Sequence, residues 1–289
     1  MSKCKALHDL IEARAALPVP GVYDAFSARL VEAAGFKACQ VSGFAVAAAA
    51  LGLPDIGILS LRDQINVVQA IANAVNIPVM ADGDTGFGNA LNTYHTVRLL
   101  EAAGAAGVNI EDQTFPKRCG HMDDKCVVPM EEMLQKVRAG VAARRDPHFV
   151  INARTDAIAT EGIAAAIERA NAYLEAGATL VFVEAPESYD DIAHIVRSIR
   201  GPVSINMLGA PGGKTPPMTL TELRALGVAR VSFPGVTLAS AGAAMHRALS
   251  ILAESGDLSR ITNELMSFSE ATELLGLPAD RSRERAFAS

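Results

Sequence analysis

Short apolar runs alternate along the chain with longer amphipathic stretches, and several stretches end in small residues and a glycine before the next run begins. Glu32-Ala33-Ala34-Gly35 precedes Ala38-Cys39-Gln40-Val41, and Glu101-Ala102-Ala103-Gly104 precedes Gly107-Val108-Asn109-Ile110. Glu175-Ala176-Gly177 stands before residues 179–183, and Ala225-Leu226-Gly227 before residues 229–233. A glycine just past a helix end supplies the left-handed turn that leads into a strand. The runs predict eight strands: Pro20–Asp24, Ala38–Ser42, Pro78–Asp82, Val108–Asp112, Phe149–Thr155, Leu180–Glu184, Pro202–Asn206 and Arg230–Pro234. Between them, apolar residues recur at helical spacing, as at Ile65, Val68 and Ile71, or Leu134, Val137 and Val141.

Eight near-continuous apolar strands alternating with helices predict an α/β fold, a (β/α)8 TIM-type barrel with appended C-terminal helices. An open doubly wound sheet is the alternative, but it has fewer strands and often a glycine-rich first turn, which this sequence lacks. Residues 1–257 are assigned to the barrel and residues 258–289 to a helical extension. Within the extension, Leu274-Leu275-Gly276-Leu277-Pro278 predicts docking on this barrel or, by exchange, on a neighbouring subunit.

Polar residues gather where the strands end. Tyr23-Asp24, Ser42-Gly43, Asp82-Gly83-Asp84, Glu111-Asp112, Arg154-Thr155-Asp156, Glu184, Asn206 and Pro234 close the eight runs in turn, whereas the strand starts carry almost no charge. Barrels place their active sites at that C-terminal face, so the asymmetry predicts an enzyme.

Composition narrows the class. The chain has 289 residues, half of them apolar, and a formal net charge of −6 without a Lys/Arg block, which argues against nucleic acid or an anionic membrane as partner. No uninterrupted apolar run approaches the roughly 18 residues of a bilayer span. Residues 6–16 form an amphipathic stretch and not a signal-peptide core. Four cysteines in a chain this long make no disulfide framework, so a cytoplasmic location is expected, with Cys4 and Cys39 inert.

Candidate chemistry follows from three groups of residues. Asp82, Asp84, Glu111 and Glu184 are hard oxygen donors aimed at one mouth, which favours Mg²⁺, or Mn²⁺, over Zn²⁺. One direct aspartate is expected, the other acids acting through water; the competing reading pairs these acids with Arg154 and lysines. Arg154 carries a planar fork suited to a carboxylate. Pro116-Lys117-Arg118-Cys119-Gly120-His121-Met122-Asp123-Asp124-Lys125 sets a thiol among cations and an imidazole, and reads as a mobile loop bringing a reactive group to the site. The thiol suits a proton donor if protonated and a base or nucleophile if its neighbours ionise it. The backbone of Ser42-Gly43 and of Gly86-Phe87-Gly88-Asn89 offers N–H groups to an anion. Two other patterns carry little. Residues 209–215 miss P-loop spacing and run into Pro216-Pro217, and Cys119, His121 and Cys126 lack zinc-ligand spacing.

Ala81-Asp82-Gly83-Asp84-Thr85-Gly86-Phe87-Gly88-Asn89, Ile110-Glu111-Asp112-Gln113 with the Lys117-Arg118-Cys119-Gly120-His121 loop, and Gly52-Leu53-Pro54-Asp55 together resemble the isocitrate lyase/phosphoenolpyruvate mutase superfamily. The likeness runs through most of residues 20–250, and the cysteine loop resembles the lyase side: 2-methylisocitrate lyase, 2,3-dimethylmalate lyase and oxaloacetate-hydrolase-like enzymes. Asn206-Met207-Leu208 followed by Gly212-Gly213-Lys214-Thr215-Pro216 is more similar to the dimethylmalate branch. The resemblance implies Mg²⁺ at Asp82, with Asp84 and Glu111 supporting it through water. It implies substrate contacts from Ser42, Gly43, Asp55, Gly120, His121, Arg154, Asn206 and Pro234. Cys119 would be the general acid, with Lys117, Arg154 and Glu184 completing the catalytic set. The implied reaction splits a branched 2-hydroxy dicarboxylate into pyruvate or a similar 2-oxo acid and a carboxylate, in a homotetramer with exchanged C-terminal helices. Oxaloacetate hydrolysis or decarboxylation, and C–P chemistry of the phosphonopyruvate type, are the alternatives; a barrel that binds without turnover is a third. Three departures from the family pattern stand out. Gln40 replaces an aromatic residue two positions before Ser42, Pro234 stands where hydrolase-type relatives tend to carry Ser, and Gly209-Ala210-Pro211 is an insertion.

Overall fold

The computed structural model describes residues 1–120, 122 and 124–288. Eight parallel strands close into a barrel in sequence order: β1 (Leu17–Val22), β2 (Cys39–Val41), β3 (Val79–Asp82), β4 (Gly107–Glu111), β5 (Val150–Thr155), β6 (Leu180–Val183), β7 (Val203–Asn206) and β8 (Arg230–Phe233). The helices, in chain order, are α1 (Lys3–Glu12), α2 (Ala25–Ala33), α3 (Gly43–Val46), α4 (Leu61–Ala74), α5 (Ala90–Ala102), α6 (Met130–Ala143), α7 (Ile158–Glu161), α8 (Ile163–Glu175), α9 (Tyr189–Ser198), α10 (Leu220–Leu226), α11 (Val236–Ser255), α12 (Phe268–Leu274) and α13 (Leu277–Phe287). The four glycines that predicted helix stops do stop helices: Gly35, Gly104, Gly177 and Gly227 have φ of 86°, 100°, 104° and 87°. At the opposite ends, Asp24, Ser60, Asn89 and Thr219 close capping boxes on α2, α4, α5 and α10.

The strands sit where the apolar runs place them, except that β1 starts at Leu17 and not Pro20. Pro18 and Pro20 disguise it as a loop. The Leu17 N–H bonds to Ala229 on the β8 side, so by alternation the prolines' missing donors face β2, where pairing starts only at Gly21. A second difference lies at a strand start. Arg230 opens β8 fully buried inside the barrel, contrary to the expectation that strand starts carry almost no charge. Its Nη1 donates to Ser204 Oγ at 2.9 Å and its Nη2 to Gln40 Oε1, while Asn152 Nδ2 donates to Asn109 Oδ1 at 2.6 Å. The lower barrel is therefore a polar layer, with apolar side chains packed outside it against the helices.

At the closed end of the chain, α11 carries no buried residue and exposes Met245, Leu249 and Leu252. It is long and apolar enough to pass as a bilayer span by length and composition alone, which the sequence reading did not anticipate, although His246, Arg247 and Glu254 interrupt it. Thr237 Oγ1 ties its first turn to the Gly21 carbonyl of β1 at 2.6 Å. In the single protomer α12 docks on α2, where Arg29 Nη1 donates to the Leu274 carbonyl at 3.1 Å.

Candidate active site

Parallel register brings the charged ends of neighbouring strands side by side, and Glu111 of β4 pairs directly with Arg154 of β5. One mouth results at the C-terminal end of the barrel. Asp82, Asp84 and Glu111 line one wall, and Arg154, Glu184, Asn206 and Pro234 the other. Ser42, Asp55, Lys117, Cys119 and Gly120 complete the rim. Gly43 lies beside it, with its N–H given to Asp82 Oδ2 at 2.9 Å. Gly86, Phe87, Gly88 and Asn89 are not among the lining residues; the turn is occupied with capping α5. His121 lies outside the described residues.

The turn after β3 explains why two aspartates face one point. Gly83 approaches the next strand so closely that a Cβ would overlap Val108 and the Asn109 carbonyl. Asp84 then adopts a left-handed φ of 44°, which folds its side chain back beside Asp82. Lys136 on α6 supports this turn from behind, donating to the Thr85 carbonyl at 3.2 Å.

Lys117 is buried between carboxylates, 2.7 Å from Asp55 Oδ1 and 3.0 Å from Asp84 Oδ1. Burial alone would lower its pKa, but Asp84, Glu111, Asp55 and Asp82 reverse the sign and hold it well above the usual lysine range. Burial pushes Asp84 up to about 6 although Lys117 opposes the shift, because Asp82 and Asp55 add negative charge. Glu111 is pushed well above the carboxylate range by the same burial, only partly offset by Arg154 and Lys117. Arg154 is shared among three acids. Its Nε and Nη2 grip Asp156 at 2.9 Å each, Nη1 lies 3.2 Å from Glu111, and Nη2 lies 3.2 Å from Glu184. The Phe182 ring backs the guanidinium at 5.2 Å. The competing reading, pairing with Arg154 and a lysine, accounts for Asp84, Glu111 and Glu184, whereas Asp82 accepts from the Gly43 and Asp84 N–H groups.

Among the described residues, Lys117 meets Asp55 and Asp84 at the mouth, and Arg154 meets Glu111 and Glu184. Buried Glu111 Oε1 accepts no hydrogen bond among the described residues, and Asp84 Oδ1 has the Lys117 ammonium as its neighbour. The donor set is all oxygen. No three acids or imidazoles among the described residues already converge as a shell, which suits a cation that keeps most of its waters. The residues present fit such an ion.

Over the mouth lies the cysteine loop, tied down at several points. Gln113 clamps Arg118 by its backbone, accepting from the N–H at 3.0 Å and donating to the carbonyl at 2.8 Å. The Cys119 N–H donates to the Asp55 carbonyl at 3.1 Å. Sequence reasoning missed two features of this assembly, the buried Arg230 and the contact between Lys125 and Asp156. Arg230 was hidden because it lies at the wrong end of a strand, and Lys125 and Asp156 because their contact joins distant segments. The only signal for that pair was a lysine in a loop where charge must find a partner if buried.

A closed eight-stranded barrel whose C-terminal mouth gathers acids, one arginine and a thiol-bearing loop defines an enzyme of the TIM-barrel class acting on small anions. Comparison with known proteins makes this specific. The family model for phosphoenolpyruvate phosphomutase matches residues 7–253, and the chain belongs to the isocitrate lyase/phosphoenolpyruvate mutase superfamily, on its carbon–carbon lyase side. It is similar to the 2,3-dimethylmalate lyase of Eubacterium barkeri, 38% identical over 289 residues that cover all of this chain and 99% of the relative. Among solved structures it is similar to an oxaloacetate acetylhydrolase in complex with 3,3-difluorooxalacetate, with a TM-score of 0.94, 33% identity, and coverage of 100% of this chain and 98% of that one. A phosphonopyruvate hydrolase in complex with oxalate and Mg²⁺ superposes with a TM-score of 0.90 at 32% identity, covering 100% of each chain.

Proposed function

We propose that this protein is a Mg²⁺-dependent lyase cleaving a branched 2-hydroxy dicarboxylate, of the 2,3-dimethylmalate or 2-methylisocitrate type, into a 2-oxo acid and a carboxylate. The observation that supports the reading is the Cys119 loop seated over a mouth lined by Asp82, Asp84, Glu111 and Arg154. Asp82, Asp84 and Glu111 would hold the ion. When bound, Mg²⁺ supplies Lewis-acid stabilisation of the oxygen that becomes the ketone. Arg154 and Lys117 offset the charge of the diacid, Ser42 and Asn206 orient it, and the loop excludes water. Cys119 gives its proton to the carbon of the departing enolate, which needs a thiol on the face opposite the cation. Glu184 holds Arg154 in place from 3.2 Å.

The test is consumption of 2,3-dimethylmalate and 2-methylisocitrate with release of a 2-oxo acid. Activity is expected to vanish in EDTA and return with Mg²⁺; activity undiminished by EDTA overturns the metal's role. The second reading, hydrolysis of oxaloacetate or of a phosphonopyruvate-type acid, draws on the two hydrolases that superpose on this chain. Pro234 at the rim, where such relatives tend to carry Ser, weighs against it. Oxalate release from oxaloacetate, or inorganic phosphate from phosphonopyruvate, would favour it.

The assembly reading is a cytoplasmic homotetramer. Its support is α11, where Met245, Leu249 and Leu252 are 56%, 64% and 43% exposed in the protomer. A stripe of that kind on a 20-residue helix suits burial against another copy. Leu249→Glu is expected to shift the protein to smaller species in sedimentation velocity; an unchanged tetramer, or a monomeric parent, rejects the role given to α11.

A further inference from the structure

Lys125 lies beyond the cysteine on the return arm of the same loop, and its side chain is only 1% exposed. Among the described residues its ammonium makes two bonds. It donates to the Gly120 carbonyl at 2.5 Å and to Asp156 Oδ1 at 2.8 Å. Asp156 is fully buried and is the carboxylate that grips the Arg154 fork. One acid therefore anchors both the cation that faces substrate and the lysine that reaches the loop. Gly120 follows Cys119 directly and is itself buried against the site, because a Cβ there would overlap Arg154 Nη2 and Glu184. The backbone beside the thiol rests on the guanidinium.

The space left beneath the loop is about 50 Å³. A water needs roughly 10–15 Å³ by this measure, so the space beneath the loop is a few waters in size. A loop that lifts to admit a larger ligand breaks the contact at the Gly120 carbonyl, and closure restores it.

We propose that Lys125 is a positioning residue that latches the Cys119 loop onto the mouth through the Gly120 carbonyl, with Asp156 as the anchor shared with Arg154. It touches no reacting atom. Its kinetic consequence rests on the lyase reading, whereas the latch itself does not. The plainer alternative is that Lys125 only neutralises Asp156. Removing it would then lower stability and leave the loop held by Lys117, Gln113 and the Asp55 carbonyl.

Thiol accessibility separates the two. Cys126 is exposed and is replaced by Ser in all variants; Cys4 and Cys39 are buried, with pKa values pushed up to about 12 by burial. Cys119 is then the thiol that iodoacetamide reaches, and its alkylation is timed by mass spectrometry without substrate. Lys125→Met is expected to raise that rate at least tenfold over the parent and to lower kcat at least tenfold with a smaller change in KM. Lys125→Arg keeps the charge beside Asp156 but displaces the donor from Gly120, so it should fold like the parent and still alkylate faster. An alkylation rate unchanged in either folded variant overturns the latch, including when the melting temperature falls. Faster alkylation together with a parent that consumes no diacid keeps the latch and removes the reaction; the opposite pattern does the reverse.

Discussion

Replacing Cys119 with alanine is expected to slow carbon–carbon cleavage by about 10²- to 10⁴-fold, the range a positioned general acid contributes. The loop that carries Cys119 is fixed by groups other than the thiol: Lys117 to Asp55 and Asp84, Gln113 to the Arg118 backbone, and Lys125 to the Gly120 carbonyl. Loss of the sulfur should therefore leave the fold and the affinity for Mg²⁺ and oxalate intact. On the proposed role the proton is delivered only as the enolate departs, so the loss should appear in kcat. Steady-state kinetics and calorimetric titration of oxalate check both halves. A variant with more than a tenth of parental kcat would remove Cys119 from proton delivery.

Arg154→Met should be the most damaging substitution to the fold around the site. It leaves Asp156, Glu111 and Glu184 buried without the cation they share, and breaking a buried ion pair from one side costs about 3–5 kcal/mol. For a chain of this size that corresponds to a fall in Tm of roughly 5–10 °C, with activity lost as well. The pH dependence has a definite sign. Glu111 already has its pKa raised by burial, and Arg154 is the largest influence holding it down. Without Arg154 the carboxyl takes up a proton more readily in the fold, and a group with a raised folded pKa gains stability as pH falls. The deficit of the variant against the parent should shrink between pH 8 and pH 6. Differential scanning fluorimetry at the two values decides it; a deficit that widens toward pH 6 contradicts the charge accounting.

The fold was legible because two independent signals agreed. Apolar runs marked the strands, and glycines at 35, 104, 177 and 227 marked the helix ends, where each takes the left-handed turn. Most of the mouth was legible for a related reason: side chains at strand ends converge when a barrel closes, so Asp82, Glu111, Arg154, Glu184 and Asn206 needed no tertiary information to be grouped. What escaped were features whose meaning depends on the far side of the barrel. A charge at a strand start reads as a solvent contact, yet Arg230 meets Ser204 and Gln40 across the interior. Lys125 reads as one more loop charge until Asp156 of the next strand's end is seen beneath it. Prolines at 18 and 20 hid the first turns of β1, since a missing donor is harmless only on an edge not yet paired.

Arg230 also decides what its neighbour can offer. A guanidinium has hydrogens and no lone pair, so the oxygen of Gln40 is committed downward and the amide hydrogens are what that side chain presents to the cleft. Burial drags the Arg230 pKa down to about 9, still above physiological pH, with Asp82 as the opposing charge. The bottom of the cleft is thereby polarised toward electron-rich ligand atoms.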